Sequence, residues 1–239
     1  MTNSKLIHKT HRPIFPHLSL ADGTLETLKW LALILMTGDH INRYLFDGTL
    51  PLLFELGRLA LPVFVVVLAY NLSRPGAFER GAYERTMKRL AIAGVVASVP
   101  FIALNTALDT GWLPLNVLFS LLVLTATLYL IERGELAAAG VVFLIGGNLV
   151  EYRWFGLALG VATWCYCRQP SLPTAAVALT ACAGLWLING NGWALAAVPL
   201  ILGATRVRLP LPRLRWIFYA YYPVHLTAIG VFQIAMGRI

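Results

Sequence analysis

The sequence predicts an all-α polytopic membrane protein: one bundle of about nine transmembrane helices, eight to ten, with the N-terminus in the cytoplasm. Three observations predict it. The 239-residue chain is 58% hydrophobic and 13% charged, with mean hydropathy +0.71, where soluble domains run about 45–50% apolar and about 25% charged. Its apolar residues fall into runs near the ~20 that cross a bilayer as helix. Its lysines and arginines collect in one alternate set of the joins between those runs.

Residues 1–23 read as a cytoplasmic segment and 24–239 as a single transmembrane domain. The first segment carries Lys5, His8, Lys9, His11, Arg12 and two prolines, and no apolar run. That is not the form of a cleavable signal peptide, so the first hydrophobic helix is expected to anchor the mature protein.

Helices are expected near 27–46, 52–72, 88–106, 113–131, 136–151, 154–168, 172–189, 192–205 and 214–236. The fifth, sixth and eighth are short. Proline, glycine and charge punctuate the joins: "SRPGAFERGAYERTMKR" (73–89), "ERGE" (132–135), "RQPSLP" (168–173), "NGNG" (189–192) and "TRVRLPLPRLR" (205–215). No internal repeat or linker interrupts them.

With the N-terminus inside, fifteen basic residues from Lys5 to Arg215 are cytoplasmic and only Arg43, Arg58, Arg153 and Arg238 are outside. This bias satisfies the positive-inside rule. It also accounts for the net charge of +8 without nucleic acid as a partner. Asn42, Asn105, Asn116, Asn148, Asn189 and Asn191 fall towards the outer face. Capping explains asparagine at helix ends, but not why one set of ends is chosen. Cys165, Cys167 and Cys182 lie in apolar stretches and read as small buried hydrophobes, with neither disulfide nor metal expected.

Ionisable groups inside such helices are costly and are functional candidates by default. Helix 1, in "LILMTGDHINRYLF" (33–46), brings Asp39, His40 and Arg43. Asp39 and Arg43 share a face and can be a structural pair; His40 lies about 100° round, where Asp39 is poorly placed to orient it. Helix 2 opens "FELGRLALP", with Glu55 interfacial and Arg58 at a depth like that of His40 on a neighbouring, oppositely directed helix. Glu151 and Arg153 lie at the outer end of the helix expected over 136–151. Helix 9, "WIFYAYYPVHLTAIG", places His225 one turn from Tyr221, beside Tyr222, with Pro223 loosening the backbone. Lys29 is expected to snorkel to the headgroups.

A histidine near neutral pKa takes a proton from an attacking nucleophile, and an adjacent arginine stabilises an oxyanion or grips an anion. The same groups suit a proton-coupled transporter, although no paired half-repeats are present. There is no Gly-x-Ser-x-Gly elbow, P-loop or His-Glu-x-x-His. The residues by themselves reach a membrane enzyme or transporter with a His/Arg site in its outer half.

Four stretches add a resemblance. "DGTLETLKWLALILMTGDHINRYLF", "GRLALPVFVVVLAYNLSRP", "LNVLFSLL" and "FYAYYPVHL" together resemble the TraX family of conjugative-transfer membrane proteins, in order and spacing, over nearly all the chain from residue 22. Leu61 stands where the family is expected to have phenylalanine. The family looks like pilin N-acetylases and is distantly similar to membrane O-acyltransferases of surface sugars. The resemblance implies an inner-membrane acetyltransferase that modifies the N-terminus of a conjugative pilin, with acetyl-CoA as donor.

On that reading His40, Asp39, Arg58, Glu151 and His225 are catalytic. His40 is the general base, Glu151 orients or neutralises it, and Arg58 stabilises the oxyanion or positions the donor. His225 is a second acid/base or a transient acetyl carrier. Arg43, Asn116, Tyr221 and Tyr222 contact substrate, and Arg85, Lys88, Arg89, Arg213 and Arg215 receive the phosphates of acetyl-CoA. The partners are the membrane-inserted pilin and lipid. Ring closure of the pilin, O-acetylation of a surface glycan or lipid, and a non-enzymatic role in pilus assembly stay open.

Overall fold

A computed structural model of the protein describes residues 16–106, 111–206 and 216–238. Each of the nine expected stretches is helical among them, in eleven α-helices: α1 (Asp22–Leu45), α2 (Pro51–Gly57), α3 (Ala60–Leu72), α4 (Ala82–Thr106), α5 (Val117–Glu132), α6 (Leu136–Leu149), α7 (Arg153–Arg168), α8 (Leu172–Gly184), α9 (Trp186–Asn189), α10 (Ala197–Ala204) and α11 (Ile217–Ala235). A 3-10 turn, Trp193–Ala196, leads into α10. No β-strand occurs among the described residues, only a parallel bridge between Leu115 and Val150.

Among the described residues, four helical stretches are long and apolar enough to cross a membrane: 51–72, 82–106, 172–189 and 217–235. α1 is 24 residues long, about 36 Å, but its charges keep it out of that set. α5, α6 and the stretch from Trp193 to Ala204 are apolar and shorter.

Local sequence explains the breaks. Pro62 has no N–H for the carbonyl of Arg58 four residues earlier, and the helix is interrupted at Arg58–Leu59, between α2 and α3. α5 starts four residues later than the apolar run because Asn116 caps it, its Oδ1 accepting from the Leu118 N–H at 3.1 Å. Ser171 caps α8 in the same way, with a proline in the first turn, where a missing N–H costs nothing. α9 ends on Gly190 at φ +71°, the left-handed conformation that glycine adopts without strain.

α3 is apolar on every side and is the central strut, as an all-round hydrophobic helix must be. Val63, Val66 and Val67 face one cluster with Leu28, Leu33, Leu90, Phe101 and Leu226. Leu61, Val65, Ala69 and Leu72 face a second with Leu124, Leu157, Trp164 and Leu185. The first cluster joins α1, α4 and α11; the second joins α5, α7 and α8. Each fully buried leucine or valine contributes about 1.5–3 kcal/mol in water, a driving force that lipid largely removes. Packing and polar contacts therefore carry more of the specificity here.

Candidate functional site

Helix 1 reaches the site beside a close approach of α2. Gly57 is buried, and a Cβ built on it would lie 2.5 Å from the Cβ of Asp39, so only glycine admits this contact. That approach delivers the next residue, Arg58, whose Nη2 pairs with the Asp39 carboxylate. Arg58 also donates from Nε to the Phe54 carbonyl at 3.1 Å and from Nη1 to Asn189 Oδ1 at 3.5 Å. Asp39 is thus tied to Arg58 rather than to Arg43, four residues on.

Arg43 turns instead to Asn105 Oδ1, 3.4 Å from its Nη2, and lies over the Tyr44 ring. Tyr44 Oη donates to the same Asn105 oxygen at 3.1 Å. Asn189 and Asn105 are therefore partners of the two arginines. The one-sided distribution of asparagines was the signal in the sequence, though it assigned them no role.

One residue round the helix, His40 meets α11. His40 Nδ1 is 2.7 Å from His225 Nε2, and His225 Nδ1 is 2.9 Å from the Tyr221 carbonyl. The imidazole planes agree within 2° with centroids 5.0 Å apart. That spacing is too wide for a face-to-face stack and is what two rings lying edge to edge in one plane require. The bond pattern fixes the tautomers. A carbonyl only accepts, so His225 carries its proton on Nδ1 and offers the Nε2 lone pair; His40 then donates from Nδ1, which leaves its Nε2 as a free acceptor.

Three tyrosines surround the pair. Tyr44 and Tyr222 approach His40, with centroids at 5.9 and 6.0 Å, and Tyr221 and Tyr222 approach His225 at 5.2 and 5.3 Å. Tyr221 Oη is 2.8 Å from Thr37 Oγ1, which donates to the Leu33 carbonyl, so Tyr221 is the donor to Thr37.

Glu151 lies in the turn between α6 and α7. Its backbone N–H donates to the Leu115 carbonyl and its carbonyl accepts from Ser120. The carboxyl receives the Val117 N–H at the start of α5, and burial pushes it up to about 7 against the pull of Arg43 and Arg58. It makes no hydrogen bond to His40; the ring's partner is His225. Asn116 is committed to structure: besides capping α5, its Nδ2 donates to the Gly94 carbonyl and Ser98 Oγ.

A cavity of about 450 Å³ leads towards this group. Among its lining residues, Lys29, Arg74, Arg80, Arg85 and Arg89 lie at the end where α1, α4 and α11 begin, Leu33, Met36, Phe64 and Leu121 further along, and Val117, Leu118 and Tyr222 at the inner end. Lys29 pairs with Glu26, with its Nζ 4.2 Å from the Phe218 centroid, and Arg74 pairs with Asp22. Arg89 lies over Trp216 and Tyr219. The five cations among the described wall residues make the mouth basic. Lys29 thus faces the cavity and its aromatic wall rather than snorkelling outward. Arg85 and Arg89 line the cavity; Lys88 is exposed and lines none of it. Arg213 and Arg215 lie outside the described residues. Arg74 and Arg80 are further wall residues from the basic loop 73–89.

Comparison with known proteins agrees with the motifs. A family described as TraX protein matches residues 24–233. An uncharacterized protein of Rickettsia prowazekii (strain Madrid E) is 33% identical over 96 residues, which are 40% of this chain and 33% of that one. The matched region is thus about a third of that relative's length. No solved structure matches.

Proposed function

The chain belongs to the TraX family, and from that premise we propose that it is a membrane-embedded acetyltransferase that modifies the N-terminal amine of a conjugative pilin held in the inner membrane, with acetyl-CoA as donor. One observation carries the reading: a hydrogen-bonded histidine pair with a free acceptor nitrogen adjoins the tyrosine that lines a long, basic-mouthed cavity.

The parts fit a phosphorylated thioester. The mouth offers cations for phosphates, and the apolar middle suits an extended arm. Lys29 and His40 are eleven residues apart on one helix, about 16 Å, so a donor held at the mouth must be long to reach the pair.

An α-amine has a pKa of about 7.7–8.0, so it must lose a proton before it attacks at neutral pH. The nitrogen adds to the thioester carbonyl carbon while His40 Nε2 takes the proton. The resulting imidazolium keeps its Nδ1–H on His225 Nε2. The carbon–sulfur bond then breaks, and His40 returns its proton to the departing thiolate, giving an amide and free thiol. His225 holds the tautomer that makes His40 a base; with both its nitrogens bonded, it is a poor acetyl carrier. Arg58 and Asp39 fix α2 against the turn that bears His40. Glu151 and Arg43 supply charge towards the acceptor side.

The test is the intact mass of the cognate pilin from cells carrying the protein, lacking it, or carrying His40→Ala. A gain of one acetyl group that needs both the protein and His40 supports the reading. Loss of one water with the same dependence means ring closure. An unchanged pilin removes it as the substrate and brings glycan acetylation or pilus assembly forward.

A further inference from the structure

Resting on the acyl-transfer reading, the geometry points to the Tyr222 hydroxyl as the direct hydrogen-bond donor to the thioester carbonyl, and so to the oxyanion that forms on it. The need is general: acyl transfer places negative charge on the carbonyl oxygen, and a fixed donor there is commonly the largest catalytic contribution. Arg58, the obvious cation, is engaged by Asp39, Asn189 and the Phe54 carbonyl.

Three phenols lie in ring contact with the histidine pair, and two are spent. Tyr44 donates to Asn105 and Tyr221 to Thr37. Tyr222 makes no side-chain hydrogen bond with any described residue, although it is only 3% exposed. It is also the tyrosine that both lines the cavity and touches both imidazoles. With no partner of its own, the hydroxyl keeps a little accessible surface instead of being sealed in, so a carbonyl arriving through the cavity can accept its hydrogen bond. Val117 and Leu118, its neighbours in the lining, add no side-chain donor.

When the amine nitrogen bonds to the carbonyl carbon, the C=O electron pair moves to oxygen. The Tyr222 O–H shortens its bond to that oxygen without giving up the proton. When the carbon–sulfur bond breaks, the pair returns and the carbonyl re-forms, so Tyr222 is unchanged over the cycle.

The test uses the full chain purified in detergent, Tyr222→Phe, and two ligands: acetyl-CoA and its S-ethyl thioether, which lacks the carbonyl oxygen. Phenylalanine keeps the ring and removes only the donor. The expected result is a fall in kcat of about 10²–10³-fold with a much smaller rise, of about 2–10-fold, in KM for acetyl-CoA. Acetyl-CoA should raise the unfolding midpoint of the wild type more than the thioether does, and that difference should vanish in the variant. Turnover within about threefold of wild type, or a preserved preference for the thioester, overturns the assignment. If neither ligand stabilises the wild type, the cavity is not a thioester site, and both the function and this role fall; stabilisation by both ligands equally removes Tyr222 alone. Should the phenylalanine variant unfold, 3-fluorotyrosine at 222, which keeps ring and hydroxyl but acidifies it, must change kcat; unchanged turnover overturns the assignment.

Discussion

Replacing His225 by alanine tests the tautomer relay. His225 Nε2 is 2.7 Å from His40 Nδ1, and without it that N–H is left in an aromatic pocket formed by Tyr44 and Tyr222. An unsatisfied buried donor costs about 1–3 kcal/mol, or roughly 5–150-fold if the cost falls on the transition state. The imidazole is also free to move its proton to Nε2, which abolishes the base. In serine proteases the corresponding loss of the correct tautomer costs about 10⁴. His225→Ala should therefore lower kcat by about 10²–10⁴, with KM for acetyl-CoA little changed because His225 does not line the cavity. His225→Gln is the discriminating variant. Its side-chain carbonyl reaches near the former Nε2 and only accepts, so it restores the correct tautomer and should recover at least about tenfold of the loss. The assay follows acetyl transfer to a peptide bearing the pilin N-terminus, by mass spectrometry at saturating donor. If glutamine is as inactive as alanine and wild-type His225 becomes acetylated during turnover, the residue is a covalent carrier. The relay argument would then be wrong.

Three other outcomes follow from the geometry. Asp39→Asn and Arg58→Ala should each lower stability by roughly 3 kcal/mol, because either leaves a largely buried charge alone, while the double variant should lose clearly less than the sum in denaturant titrations. Neutralising Arg85 and Arg89 to glutamine should raise KM for acetyl-CoA several-fold, leave kcat unchanged and weaken the salt dependence of KM; an unaffected KM would move the phosphates elsewhere. Glu151 titrates near 7 in the fold and about 4.3 unfolded. The folded state thus holds the extra proton between those values, and stability contributed by the protonated form is lost as pH rises through about 7. The unfolding midpoint should fall between pH 5 and 7 in the wild type and less in Glu151→Gln, and equal slopes would remove Glu151 as the cause.

Much of the fold was legible because lipid imposes length and apolarity. The breaks follow from Pro62, Asn116 and Gly190, whose meaning is local. The candidates for a site stand out too, since any charge in such helices is conspicuous: Asp39 pairs with Arg58 and His40 with His225. Who bonds to whom was not. Asp39 and Arg43, four apart on one helix, look like partners; Arg58 wins because Gly57 lets its backbone close on Asp39, a tertiary fact with no periodicity. Likewise His40 and His225 are 185 residues apart, and no spacing rule links them. A lysine near a helix start looks the same in sequence whether it faces lipid or a cavity; for Lys29, Phe218 and Glu26 decide it.

The arrangement also bears on how the proposed donor and acceptor would meet. The cations lie at one end of the cavity, where α1, α4 and α11 begin. Asp39, Arg58, Arg43 and Glu151 gather past the histidines, where α1 ends and α5 begins. Tyr222 stands between the two groups, in contact with the cavity and with both rings. A direct transfer then needs only a thioester long enough to span about seven residues of α1, from Lys29 to Met36, roughly 10 Å, and then to pass Tyr222. It needs no acetylated histidine, and both nitrogens of His225 are already bonded. A relay through the protein would require a nucleophile with a free lone pair facing both sides, and His40 Nε2 is the one imidazole nitrogen of the pair that this bonding leaves open. Whether the acetyl group ever rests there separates the two routes. Rapid quench after mixing with acetyl-CoA, without acceptor, should leave His40 unmodified; an acetylated His40 would convert the proposed base into the carrier.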